Sequence, residues 1–573
     1  MLNVNPEFVF LDELLKKYFF SSIDILFSNK FNPQNEDEAI FLSYLFLISR
    51  SGYISLKIDE ISIFPNPNDL FFDDLLEENE QKKIIEKVII GSKTIKKSIL
   101  NFPKEELFPK YPICSFRNYY YLQKNYVFET IIIKNLKQFI NSAPQDLFFR
   151  ESFFSKIDQE ESLNAKQKEA IKKTYSNSIS LITGGPGTGK THTAAHLIKI
   201  FIQSLEESKR NEIKIAAAAF TGKAASILKS KIQSFSKNLL IDIKTIHLLL
   251  NIKEGKEKYF DDSRLDYDLV IIDEASMLDF KLMAYLLHSI KKGSRIVFIG
   301  DSNQLPPIAA GNVFTELTNM KNLVTDLDLP KRFENQKIIE MADAVKTEDE
   351  TKLFSLIDND IFFNIDNLDV KKIILEFSGY NPFHPTSEKL NIEKILDKVN
   401  EFKILSSIKN GPWGLETINN EILTFFLKKA KAAEYLYIPV IVTKNNYKLS
   451  LFNGQIGILQ AQVISNKLSI SAKSDIYFKI EDKVVNYPIA SVRAYELAYA
   501  ISIHKSQGSE FCDAIIILPD GSQNFGKELL YTAITRVKNN LKIVSSKIIL
   551  EQLLKKSSIK KTGILERYSN FSN

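Results

Sequence analysis

The spacing G-x-x-x-x-G-K-T, running from Gly184 to Thr191, constrains this chain more than any other stretch. An apolar run, Ile179 to Ile182, leads into it and predicts a buried strand. An alanine-containing segment, Thr193 to Leu205, leaves it and predicts a helix. Strand, glycine-rich turn and helix in that order make a phosphate-binding loop. Gly184, Gly185, Gly187 and Gly189, with Pro186 and Thr188 among them, let the backbone approach an anion. The amides at the helix start point at that anion, helped by the positive end of the helix dipole. Lys190 then reaches the β- and γ-phosphates of ATP, and the Thr191 hydroxyl holds Mg²⁺.

A chain of 573 residues is too long for one core and predicts about three or four domains. Its net charge is only +5, so any basic surface is local rather than global. Two cysteines far apart in sequence, Cys114 and Cys512, fit a reducing compartment without a disulfide framework. The first residues lack a basic segment followed by an apolar core, and no apolar run is long enough to span a bilayer. The expectation is a cytoplasmic protein.

Other chemistry-bearing residues follow the loop in order. Asp268 to Asp273 reads as an apolar strand ending in the pair Asp273-Glu274. Asp273 would complete the Mg²⁺ shell, and Glu274 would polarise the attacking water as general base. Gln304, in Gly300-Asp301-Ser302-Asn303-Gln304-Leu305-Pro306, is a neutral group able to touch both the γ-phosphate and a second ligand. Arg332 is either a cation reaching the transition state from the far side or a surface ion-pair partner. Gln167 lies about one turn into a helix capped by Asn164, and its amide can read an adenine edge or simply face solvent. A strand ending at Ala219 precedes Phe220-Thr221-Gly222-Lys223, the kind of strand end where open α/β sheets bind ligands. Thr245 and His247 form either a ligand-facing pair or a short polar turn. His192 and His196 have helical spacing but no glutamate between them, which argues against a metal site. The chain from Arg536 onward is rich in Lys and Arg, as a basic binding surface or a solvated helix face. The tyrosines Tyr119, Tyr120 and Tyr121 fall in a predicted hairpin and read as sheet packing.

Taken together, these motifs resemble superfamily 1 DNA helicases. Asn410-Gly411-Pro412-Trp413-Gly414, His504-Lys505-Ser506-Gln507-Gly508-Ser509-Glu510-Phe511 and Glu528-Leu529-Leu530-Tyr531-Thr532 resemble blocks of the RecD family, the alpha subunit of bacterial exodeoxyribonuclease V. The resemblance covers about residues 110 to 550. It implies an α/β fold of two RecA-like P-loop NTPase domains flanking an ATP cleft, with Arg332 and Arg536 entering from the second domain and Glu510 contacting ribose. It implies that Phe220, Thr221, Thr245, His247, His504 and Lys505 line a single-strand DNA track, where stacking and phosphate contacts give sequence-independent binding. It further implies 5′-to-3′ movement beside RecB-like helicase–nuclease and RecC-like subunits, in DNA end processing and double-strand break repair.

The predicted division is a mainly helical N-terminal domain (1–110), a hairpin and helix linker (111–158), a first RecA-like domain (159–335) and a second (336–573). A small SH3-like β-barrel insert is expected at about 437–492, from strands at Pro439 to Thr443, Gly454 to Leu459, Lys467 to Ile470, Ile476 to Ile480 and Val484 to Ile489. Phe8, Phe10, Phe19, Phe20, Phe27 and Phe31 exceed what a small helical unit needs for its own core. With the acidic stretch Asp73 to Glu80, they suggest a partner-docking module that repels DNA. Away from the ATP motifs there is no carboxylate–lysine cluster or histidine metal site for a nuclease. A stand-alone helicase and a non-catalytic subunit with a relic ATP fold remain open on sequence grounds.

Overall fold

The computed structural model describes the chain except residues 1–4, 71–75, 98, 102, 104–108, 146, 148–149, 207–211, 234–240, 253–263, 328–334, 359–360, 368–372, 374–383, 400, 432–433, 447, 465–466, 471–473, 481–482, 561 and 572–573. The N-terminal region is helical, as expected: Val9–Lys16, Ser22–Asn29, Glu36–Arg50 and Glu78–Thr94. Asn35 starts the third of these by accepting from the Glu38 amide at 2.9 Å, and Glu36, Asp37 and Glu38 complement the dipole in its first turn. Glu78–Thr94 packs against it so closely that a Cβ on Gly91 would lie 2.1 Å from the Asp37 carbonyl oxygen. Lys87 ties the same two helices through Glu36 at 2.9 Å and Asp37 at 2.7 Å.

The phenylalanines of this region do not form surplus surface. Phe8, Phe10, Phe19 and Phe20 are buried in a common core with Leu14, Phe41 and Tyr44. Phe27 and Phe31 are half-buried, with Phe27 stacked on Phe46 at 4.4 Å between centroids. The argument for docking from excess aromatic residues is therefore corrected: a two-sided packing problem absorbs them. Beside the helices lies a sheet in the order Ile63–Phe64, Ser55–Ile58, Tyr119–Leu122, Ile113–Phe116 and Leu100–Asn101. Tyr119 and Tyr121 pack inside, as the sheet reading required.

The first parallel sheet runs Val324–Asp326, Ile179–Thr183, Arg295–Gly300, Leu269–Asp273, Ile215–Ala219 and Ile241–Thr245. Its central strands are apolar without alternation because both faces are covered. Val270 and Ile272 point to a core that includes the helices Gln123–Asn141 and Phe280–Ser289. Leu269 and Ile271 point to the opposite core with Lys190–Gln203. The helix Gln123–Asn141, expected within a linker, thus builds one face of this sheet.

The second parallel sheet runs Phe362–Asn364, Val537–Ser545, Phe511–Leu518, Phe402–Ser406 and Ala500–Ser502. Between its strands the chain makes an antiparallel sheet ordered Lys483–Pro488, Asp475–Ile480, Ile456–Ile464, Tyr435–Val442 and Tyr495–Leu497, with Lys467–Ser469 added to the third. The insert is present where the sequence placed it. Among the described residues its first and last strands do not pair, so it is an open sheet rather than a closed barrel.

The C-terminal residues return to the first half of the molecule. Ser55 Oγ donates to the Thr562 carbonyl at 3.0 Å, and the Glu316 carboxylate accepts from the Thr562 amide. Arg567 is 1% exposed and meets Glu129 at 2.7 Å, with its guanidinium 3.8 Å from the Tyr126 ring centroid. Ile564 and Phe571 join the core on the Gln123–Asn141 face. Part of the basic tail is engaged within the fold: Lys538 pairs with Glu510 and Arg567 with Glu129.

Candidate active site

The phosphate loop lies at the carboxyl end of Ile179–Thr183. Gly187 (φ 78°) and Gly189 (φ 87°) adopt the left-handed backbone that a Cβ disfavours, and Gly189 caps the helix that begins at Lys190. Thr188 Oγ1 folds the loop on itself by donating to the Gly185 carbonyl at 2.8 Å. Lys190 Nζ donates to the carbonyls of Gly184 at 2.6 Å and Gly185 at 2.9 Å. Thr191 Oγ1 donates to Asp273 Oδ2 at 3.1 Å, which brings the two sequence-predicted Mg²⁺ ligands together.

Asp273 ends its strand and accepts the Glu274 amide at 2.9 Å. Glu274 takes a left-handed turn (φ 54°) that aims its side chain into the cleft. Burial pushes both carboxyls up, and for Glu274 the adjacent Asp273 adds to the shift, while Lys190 opposes it in both. Gln304 is 4% exposed. Its Nε2 donates to Asp301 Oδ2 at 2.9 Å, while its buried Oε1 has no hydrogen-bond partner among the described residues.

The opposite wall comes from the second sheet. Arg536 is buried at the carboxyl end of the helix Gly526–Ile534; its Nε donates to the Thr532 carbonyl and a terminal nitrogen to the Ser509 carbonyl, both at 3.3 Å. The loop after Gly300 is stitched across the cleft. The Leu305 amide donates to Thr532 Oγ1 at 2.8 Å, Gln507 Nε2 donates to the Leu305 carbonyl at 3.1 Å, and Tyr531 donates to Asp301 at 3.3 Å. The cleft so enclosed has a volume of 350 Å³ and is lined by Pro186, Gly187, Gly189, Lys190, Thr191, Asp273, Glu274, Gln304, Glu510 and Arg536. Lys223, Lys231, Gly508, Ser509 and Lys538 also line it. Lys223, Gly508 and Ser509 stand within sequence blocks already noted, whereas Lys231 and Lys538 carried no signal beyond being helix-face and tail lysines.

Gln167 is placed differently from the sequence expectation. It is fully buried under the loop, accepting the Asn164 amide at 3.0 Å and donating to the Thr188 carbonyl at 3.1 Å. Its amide braces the loop and does not line the cleft, so the adenine-reading assignment gives way to a supporting one. Gly184 and Gly185 offer their carbonyls to Lys190, and Thr188 closes the loop on Gly185. Arg332 lies outside the described residues.

A second cavity of 310 Å³ adjoins the first, with Phe220, Thr221, His504 and Lys505 among its lining residues. Pro306, Pro307 and the exposed Ile308 form one rim, and Asn453 and Gly454 of the insert form another. Thr245 and His247 do not reach it: Thr245 is buried as the cap of Ile246–Leu249, and the His247 ring supports Phe220 at 5.8 Å. Burial lowers the pKa of both His247 and His504. Lys505 pairs with Glu496 at 2.9 Å. The His192 and His196 rings lie tilted against each other with centroids 4.0 Å apart, and no cluster of metal-ligating side chains occurs among the described residues. No described helix is long and apolar enough to cross a membrane.

Residues 167–310 match the family described as AAA domain, and residues 497–544 the UvrD-like helicase C-terminal domain. The chain is 30% identical to the RecBCD enzyme subunit RecD of Buchnera aphidicola from Acyrthosiphon pisum, over 96% of this chain and 99% of that one. It is 29% identical to the RecBCD enzyme subunit RecD of Buchnera aphidicola from Schizaphis graminum, over 95% and 99%. The solved Pif1 helicase of Candida albicans is similar over 71% of this chain and 98% of its own, at 17% identity and a TM-score of 0.41. With both parallel sheets contributing to one phosphate-loop cleft, and with identity sustained along almost the whole length, this chain belongs to the family of the RecBCD enzyme subunit RecD.

Proposed function

We propose that the chain is the ATP-driven helicase subunit of a RecBCD-type complex, cytoplasmic, working on DNA ends and moving 5′ to 3′ along a single strand. The observation that carries this reading is the convergence of the phosphate loop, the acid pair and Arg536 on one cleft, with a groove directly behind its wall. A first nucleotide-binding domain is built on the sheet that contains Ile179–Thr183 and a second on the sheet that contains Phe511–Leu518, with the insert as a third wall of the groove.

The residues divide the work by position. The loop amides and Lys190 hold the phosphates, and binding draws Lys190 away from the carbonyls of Gly184 and Gly185. Thr191 and Asp273, already 3.1 Å apart, supply the oxygen pair that suits a hard cation such as Mg²⁺, which would neutralise phosphate charge when bound. Glu274 takes the proton of the attacking water, and the unpartnered Gln304 Oε1 accepts a hydrogen bond that orients it. Arg536 meets the charge that develops as the phosphoryl group leaves, and Arg332 is proposed to act beside it from the second domain. Glu510 is the candidate ribose contact. Phe220 offers a face for base stacking, with Thr221, His504 and Lys505 along the strand's path. RecB-like and RecC-like subunits are the partners, and the exposed apolar side chains Tyr18, Ile23 and Leu26 are where the helical N-terminal region would meet them.

Unwinding of forked duplexes with a free 5′ or a free 3′ tail tests the reading, using the chain with and without its partner subunits. ATP-dependent unwinding that requires the 5′ tail supports it. Unwinding from the 3′ tail alone, or none in either preparation, would overturn it.

A further inference from the structure

Two side chains line both cavities: Lys223 and Ser509. Lys223 lies in the first turn of the helix Gly222–Gln233, which follows a strand of the first sheet, and Ser509 precedes a strand of the second. Lys223 Nζ donates to Ser509 Oγ at 2.9 Å, so the wall between cleft and groove is fastened by a hydrogen bond that crosses from one half of the molecule to the other. The main chain of Ser509 serves the cleft at the same time, because its carbonyl accepts from Arg536 at 3.3 Å. One residue therefore holds a cleft arginine with its backbone and a groove-wall lysine with its hydroxyl.

The neighbours restrict how this point can move. Gly508 lies between the two chemistries: a Cβ there would be 3.8 Å from Glu274 Oε1 and 3.8 Å from Thr221 Oγ1, and its φ of 71° needs glycine. Phe452 of the insert presses on the turn that carries Lys223, its ring occupying the space where a Cβ on Gly222 would be, 2.1 Å away. Lys223 is half-buried, so it holds few positions other than the Ser509 hydroxyl and the two cavities it lines.

Resting on the nucleotide and single-strand reading above, we propose that Ser509 is the coupling point between the two cavities, with Lys223 as its positioning partner on the groove side. Movement of Arg536 toward a bound nucleotide releases the Ser509 carbonyl. The segment Gly508–Ser509 then shifts, the Lys223–Ser509 hydrogen bond breaks, and Lys223 turns to face the phosphates of the strand. Coupling through such a two-position element is reciprocal, so the strand must in turn alter nucleotide affinity by the same factor.

The test measures the affinity of the full chain for fluorescein-labelled oligothymidylate without nucleotide and with the Mg²⁺ complex of the β,γ-imido analogue of ATP. Wild type is expected to change its strand affinity by about 5- to 150-fold between the two states. In Lys223→Met and in Ser509→Ala, which removes a single oxygen, the ratio falls close to one. The double variant falls no further, and Ser509→Thr keeps the wild-type ratio. A wild-type ratio of one overturns the proposal, as does a wild-type ratio retained in both single variants. So does a loss of strand affinity equal in both nucleotide states, which makes Lys223 a plain phosphate ligand, or a loss of nucleotide affinity alone, which makes it part of the cleft. A wild-type chain that binds neither ligand overturns the functional reading itself.

Discussion

The cleft and the groove share a wall but differ in what predominates in their lining. The cleft gathers formal charge: Lys190, Asp273, Glu274 and Arg536 face one another across the junction of the two sheets. The groove is mainly apolar, with Phe220, Met277, two prolines and Ile308, and its charges, Lys223, Asp279 and Lys505, are set among them with a histidine whose pKa burial lowers. The difference follows from what each would hold. A triphosphate and a metal ion are compact charges that need fixed counter-charges and dipoles. A single strand presents bases that stack on any flat apolar surface and a phosphate backbone that a few basic side chains can follow.

This contrast predicts that cleft substitutions act on turnover and groove substitutions on affinity. The largest effect is expected for Arg536→Ala, with kcat for ATP lower by about a thousandfold and strand affinity in the absence of nucleotide retained, as read from steady-state hydrolysis and fluorescence titration. Glu274→Gln should lower kcat by about a hundredfold. If either substitution mainly weakened the strand complex, the division would be wrong. Phe220→Ala should cost the strand about 1–3 kcal/mol of binding, measured at fixed salt because phosphate contacts are screened. An unchanged affinity would remove the stacking role.

The smallest effects are on stability and separate the two cavities by sign. Glu274 carries a raised pKa, so its ionised form is disfavoured in the fold, and the stability it supplies when protonated is lost as pH rises through that value. Glu274→Gln should therefore melt slightly higher than wild type at neutral pH although it turns over more slowly. His247 and His504 have lowered pKa values, so stability present above their ordinary 6.5 is lost as pH falls through the lowered ones. His504→Gln should lose less stability than wild type on acidification below that point. Thermal melts across the two windows check both, and shifts of the same sign would contradict the contrast.

The same contrast governs what could be read from the sequence. The cleft was legible because its parts are rare in combination: glycines spaced before Lys190, then two carboxylates ending an apolar strand. Even there, Gln167 misled, since a glutamine three residues after a capping asparagine serves the loop from within as well as it could serve a base from outside. The groove was legible only at Phe220, Thr221, His504 and Lys505. Asn453 and Gly454 belong to a turn of the insert that meets the Gly222 turn only through the tertiary fold. Thr245 and His247 follow a strand end, as the groove residues do, yet the adjacent turn directs them behind Phe220. Arg567 reads as one more basic tail residue, and only the fold shows it buried against Glu129. The six N-terminal phenylalanines were visible, but whether they faced in or out depended on Glu78–Thr94 closing over Glu36–Arg50 through Gly91.

The most direct test of the central claim, that one cleft burns ATP in response to a strand in the adjoining groove, is the steady-state hydrolysis rate of wild type and Lys190→Ala with and without single-stranded DNA. The account predicts that the strand stimulates wild type, and that Lys190→Ala loses hydrolysis in both conditions while still binding the strand. Hydrolysis that persists in Lys190→Ala, or a wild-type rate indifferent to the strand, would contradict it.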